Sequence, residues 1–184
     1  MQLEDVYKAI VTPEFLDLEK SFMDNVKYFS DKEKHIKRAW KYAKKLNLDE
    51  LPRKRILDIG TGFGYFPKIC SLLGHTAEGT NLKNPLFNIV NRHMNVDACI
   101  RKMDDQRIFI SGKYDIITAF QLCFHKNEGR EWNAYEWEVF LRNAMDMLSK
   151  DGLLAFEVNR PRFLKEAVRG NYHYDFKGLI RIWK

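Results

Sequence analysis

The chain has 184 residues, 45% apolar and 30% charged, with a net charge of +6. That length suits one domain with a real core, and that composition excludes a disordered chain. No apolar run reaches membrane-spanning length, and residues 1–10 carry Glu4 and Asp5 with no signal or transit pattern, so a cytoplasmic protein without membrane contact is expected.

Thr12-Pro13-Glu14 opens a helix: a capping hydroxyl, proline at the first helical position, then an acid near the positive end. Phe15, Leu18, Phe22, Val26 and Phe29 give it one apolar face. Ser30 and Glu33 read as the capping box of a second helix, which fades by Asn47 before Leu51-Pro52. Much of the positive charge lies here, at 32–45 and at Arg53, Lys54 and Arg55. Ile36, Trp40, Ala43 and Leu46 recur at helical spacing, so the lysines form the solvated face of an amphipathic helix.

From Arg55 the pattern alternates between strands and helices. Strands are expected at 55–59, 76–81, 98–103, 114–120 and 153–158. Helices are expected at 65–73 (closed by Gly74), from Asn84-Pro85 to about His93, and at 133–148, with a short one at 163–168. Segments 172–176 and 179–183 read as a hairpin. The predicted fold is α/β: a doubly wound, mostly parallel, Rossmann-like sheet with helices on both faces and an antiparallel C-terminal edge. With no linker or repeat, residues 1–184 form a single domain, 1–52 helical and 53–184 the α/β core. Cys70, Cys99 and Cys123 stand in apolar settings without metal-ligand spacing, so all three are expected reduced in the core and no metal site is expected.

Ligands of such sheets bind beyond the carboxyl ends of the strands, where the order reverses. The loop at 60–64 follows the first strand and precedes a helix whose first amides favour an anion. Gly60 permits the turn, and Gly62 lets a ligand approach the backbone. A dinucleotide fingerprint would need glycine at Tyr65, and Asp58 would repel a pyrophosphate. The stretch Asp58-Ile59-Gly60-Thr61-Gly62-Phe63-Gly64 resembles motif I of the class I S-adenosylmethionine-dependent methyltransferases.

The resemblance covers roughly 53–159 and implies S-adenosyl-L-methionine as cofactor. By it, Asp58, Gly60, Thr61, Gly62, Gly64 and Tyr65 belong to the cofactor loop. The family's second strand ends in an acid that holds the ribose. Gly79-Thr80-Asn81 stands there, so Asn81 accepts a ribose hydroxyl without charge assistance, with Leu82 beside it. Glu78 is set aside as a substitute for that acid. Asp104, or alternatively Asp105, meets the adenine amino group, and Phe120 and Gln121 line the cleft. Asp115 is structural, and Lys150-Asp151-Gly152 resembles the family's turn into the fifth strand. The helices of 1–52 fold over the cofactor mouth as a lid, bringing Tyr28 and Phe29 to the substrate side.

Methyl transfer needs alignment above all, and a general base only when the acceptor must lose a proton. His125 is the candidate base, and Trp132, just ahead of a helix, the candidate substrate contact. The expected partner is a small-molecule acceptor, sugar-like or another metabolite. Two rivals stand beside it: a nucleic-acid methyltransferase using the basic helix, and a non-catalytic binding protein, suggested by Asn81.

Overall fold

The computed structural model describes residues 1–22, 27–100, 112–120, 126–127, 130–157, 162–168, 172–175 and 179–183. Four helices come first: α1 (Leu3–Ile10), α2 (Pro13–Ser21), α3 (Lys27–Ser30) and α4 (Lys32–Lys45). Then follow β1 (Arg55–Ile59), α5 (Tyr65–Leu72), β2 (Thr76–Asn81), α6 (Pro85–His93), β3 (Asp97–Ile100) and β4 (Tyr114–Ala119). A small hairpin of β5 (Lys126–Asn127) and β6 (Arg130–Glu131) precedes α7 (Ala134–Met147), β7 (Leu148–Phe156), α8 (Arg162–Val168), β8 (His173–Asp175) and β9 (Ile180–Trp183).

Seven strands form one sheet in the order β3-β2-β1-β4-β7-β9-β8. The first five are parallel, and β9 runs antiparallel to both β7 and β8. This is the doubly wound sheet with an antiparallel edge that the sequence predicts. Residues 56–59 of β1 are buried without interruption, as a strand covered on both faces must be. Ile56 joins a core with α1, α4, α5 and α6, while Leu57 and Ile59 join a second core with α7, α8 and β9. Those two clusters are the two faces of the sheet.

Local chemistry sets several boundaries. Thr12 Oγ1 accepts from the Phe15 amide at 3.3 Å, and Asn84 Oδ1 from the Leu86 amide at 3.0 Å, each with proline next in the chain. Other elements differ from expectation. Helix α1 was not foreseen; it buries Val6 and Ile10 in the first core. Helix α2 stops at Ser21, and Phe29 sits on α3 instead. The capping position of α4 is Asp31 rather than Ser30, and Glu33 pairs forward with Lys37 at 2.5 Å. Strand β7 begins at Leu148, ahead of the expected Leu153, through a register irregularity opposite β4 between Tyr114 and Ile116. Cys70 is buried as expected, Cys99 on β3 is exposed, and Cys123 lies outside the described residues.

Three lysines of α4 are matched by acids: Lys32 with Glu19 at 2.7 Å, Lys37 with Glu33, and Lys44 with Asp49. Among the described residues no helix is long and apolar enough to cross a membrane.

Candidate active site

Strand β1 lies between β2 and β4, where the sheet's winding reverses, and its carboxyl end delivers Asp58 and the glycine loop there. Asp58 is 4% exposed and pairs in register with Thr118 of β4, whose hydroxyl donates to Asp58 Oδ1 at 2.7 Å. Burial pushes the Asp58 carboxyl up to about 6, against the pull of the Thr118 hydrogen bond. Among the described residues it has no cationic partner in salt-bridge range.

The loop after it is braced by the end of β2. The Gly60 amide donates to Thr80 Oγ1 at 3.1 Å and the Thr61 amide to the Thr80 carbonyl at 2.9 Å. The Gly62 amide donates to Asn81 Oδ1 at 2.8 Å, and the Gly64 amide to the Thr61 carbonyl at 2.9 Å. Asn81 Nδ2 donates back to the Gly62 carbonyl at 2.9 Å, as does Asn91 Nδ2 of α6 at 2.9 Å. Four loop amides are therefore turned inward, and Pro67 in the first turn of α5 has no N–H. The anion-drawing character expected of this turn is correspondingly narrowed. Gly62 has φ +58°, with nothing within 4 Å of where a Cβ would stand. At Gly64 (φ +82°) a Cβ would fall 2.4 Å from Asn91 Oδ1.

A cavity of about 80 Å³ opens on this loop. Asp58, residues 60–63, Tyr65 and Phe66 form one side; Phe120 at the end of β4 and three α4 residues, His35, Ala39 and Tyr42, form the other. Tyr42 stacks on Phe120 with centroids 4.0 Å apart and planes at 13°, and its hydroxyl donates to the Glu157 carboxylate beyond β7. Burial and the Glu157 carboxylate push the Tyr42 hydroxyl above its ordinary range. His35 stacks on Tyr65 at 6.4 Å, and Phe29 meets Phe63 edge-on at 4.7 Å.

Asp58, Gly60, Thr61, Gly62, Gly64, Tyr65, Asn81 and Phe120 thus gather at one end of the sheet. Leu82 follows Asn81 and is 61% exposed. Glu78 pairs with Arg55 at 3.0 Å, and Asp115 accepts from the Arg55 amide at 2.8 Å, so both serve the fold. Trp132 is not brought to the cavity: it is 2% exposed in the second core, edge-on to Trp137 at 5.2 Å. Asp104, Asp105, Gln121, His125 and the side chain of Tyr28 lie outside the described residues. His35, Tyr42, Asn91 and Glu157 were not singled out from sequence. A clue lay in the 35, 39, 42 spacing beside the expected apolar stripe of α4.

A Rossmann-like sheet with a glycine loop and a buried acid at its switch point defines a methyltransferase architecture. Residues 17–183 match a family model described as a methyltransferase domain, and the chain belongs to this family of S-adenosylmethionine-dependent enzymes. Solved structures share the fold. A TehB-like SAM-dependent methyltransferase from Corynebacterium glutamicum is 18% identical, with a TM-score of 0.58, over 82% of this chain and 97% of that one. TrmN from Thermus thermophilus is 21% identical, with a TM-score of 0.57, over 78% of this chain and 46% of that one. SAM-bound CalS10, an amino pentose methyltransferase from Micromonospora echinaspora, is 19% identical, with a TM-score of 0.50, over 76% of this chain and 56% of that one. The chain thus spans about half the length of the last two. No curated protein sequence matches it.

Proposed function

We propose that the enzyme methylates a small-molecule acceptor, sugar-like or another compact metabolite. The observation that carries this reading is α4, whose His35, Ala39 and Tyr42 close over the glycine loop and leave a narrow, aromatic-walled cavity. At about 80 Å³ the cavity lies well below the roughly 300–1,000 Å³ of ligand pockets, which supports a compact acceptor rather than a polymer. The paired lysines of α4 agree, since they face acids of this same chain.

The site fits S-adenosylmethionine on two counts: a buried carboxylate without a cationic partner among the described residues, and an open face over Gly62 that any Cβ would fill. Bound there, the cofactor supplies a methyl carbon activated by its sulfonium. Asp58 would hold its ammonium group, beside the loop of Gly60, Thr61, Gly62, Gly64 and Tyr65. Leu82 offers an exposed apolar surface to a flat base, with Asp104 or Asp105 taking its amino group. Phe120 walls the cleft, and the family resemblance assigns Gln121 to the cofactor and Tyr28 to the substrate. His125 takes a proton from acceptors that must lose one. Trp132, sealed in the second core, has no part in this reading.

Calorimetry with S-adenosylhomocysteine tests the cofactor site. Binding is expected in the unaltered chain and its abolition in Gly62→Arg, whose side chain would enter the open face. Unchanged affinity in that variant would put the cofactor elsewhere. Methyl transfer to a panel of small hydroxyl and amine compounds, run beside RNA and DNA, then decides the acceptor class; transfer to the polymers alone would overturn the small-molecule assignment.

A further inference from the structure

We propose that Asn81 is a positioning residue that shapes the glycine loop, and that its hold on Gly62 is the reason an amide stands at the end of β2. The inference rests on the cofactor site described above. Asn81 is 2% exposed, and both of its polar atoms meet the same residue: Oδ1 accepts from the Gly62 amide at 2.8 Å and Nδ2 donates to the Gly62 carbonyl at 2.9 Å. A side chain that pairs with both an N–H and a C=O must offer an acceptor and a donor. Asn does so, whereas an ionised Asp offers acceptors alone. The two backbone partners also fix which way the amide points.

The brace has a second arm. Asn91 of α6 is 2% exposed, and its Nδ2 donates to the same Gly62 carbonyl at 2.9 Å. Its Oδ1 is buried without a hydrogen-bond partner among the described residues and stands where a Cβ on Gly64 would fall. Gly62 is thus held from β2 and α6 at φ +58°, while its other side faces open space. The loop is shaped before any ligand arrives, and that removes an ordering cost from binding. The sequence had suggested a weakened ribose acid at this position; the geometry points to a clamp acting through the backbone.

The test compares the unaltered 184-residue chain with Asn81→Asp, Asn81→Ala and Asn91→Ala, measuring S-adenosylhomocysteine affinity by calorimetry well below each melting temperature. Asn81→Asp is expected to bind about tenfold more weakly, because it loses a donor and sets a carboxylate against the Gly62 carbonyl. Asn91→Ala is expected to weaken binding in the same sense, and it carries the test with Asn81→Ala if the Asp variant does not fold. A second measurement uses the 2′-deoxyribose analogue of the same ligand in a double-mutant cycle. A clamp predicts that losing the 2′-hydroxyl costs the same factor in the unaltered protein and in Asn81→Ala. Equal or tighter binding by Asn81→Asp would overturn the proposal, as would loss of 2′-hydroxyl sensitivity in Asn81→Ala. An unaltered protein that gives no heat with S-adenosylhomocysteine would instead defeat the cofactor site itself, and the clamp with it.

Discussion

Asp58 is asked both to be buried and to be charged, and the two demands oppose each other. Its carboxyl titrates near 6, whereas an unfolded chain ionises it near an ordinary carboxylate value, about 4. The unfolded state therefore releases this proton first. Stability from the group is complete below about pH 4 and is lost as pH rises through 6, an effect of at most about 3 kcal/mol. Asp58→Asn is accordingly expected to raise the melting temperature by several degrees at pH 8 and hardly at all at pH 4, while weakening S-adenosylhomocysteine binding tenfold or more. Scanning calorimetry at the two pH values checks the first part, and an equal gain at both would show that ionisation is not what costs stability. Asp58 and the glycines were legible in the sequence because their spacing is itself the signal. The partners of Asn81 and Asn91 were not, because a side-chain amide finds backbone 19 or 29 residues away only once the strands and loop are in place.

Among the elements, α7 shows how much short-range chemistry decides. Asn133 Oδ1 accepts from the Glu136 amide at 3.0 Å, and the Glu136 carboxylate accepts from the Asn133 amide at 2.8 Å. Arg130 of β6 adds two more hydrogen bonds at 2.6 Å, and it leads the influences holding Glu136 below the usual carboxylate range. This acid therefore stabilises the fold above its unfolded titration and loses that contribution as pH falls. Asn133→Ala is expected to cost about 1 kcal/mol, and to lower the melting temperature by roughly 2–4 °C at pH 7. A thermal melt reads this directly, and no shift would mean that the cap bears no weight. The buried run of β1 and the cap of α6 made β1 and the start of α6 readable to the residue. Helix α1 went unread, and its buried positions, Val6 and Ile10, find their partners only in the first core. The two-residue strands β5 and β6 are shorter still.

At the scale of the whole molecule, sequence order foretold the sheet because parallel strands joined by helices admit few windings. It was less informative about how the N-terminal helices lie over the sheet, since that depends on packing between distant segments. Phe29 meeting Phe63 and Tyr42 meeting Phe120 are two such long-range contacts. Tyr42 has a further consequence. By stacking on the end of β4 and donating to Glu157 beyond β7, it ties α4 down over the narrow end of the cavity. A spent cofactor seated beneath such a tie is expected to leave only when the tie loosens, and departure of product is then expected to set the pace of turnover. Tyr42→Phe keeps the ring and removes the hydroxyl. It is expected to raise kcat about two- to fivefold, to raise KM for the cofactor, and to relieve inhibition by S-adenosylhomocysteine, on the order of one lost hydrogen bond. Pre-steady-state kinetics would show this as a burst of methylated product in the unaltered enzyme that shrinks in the variant. The helix that lines the site would then also be its clock.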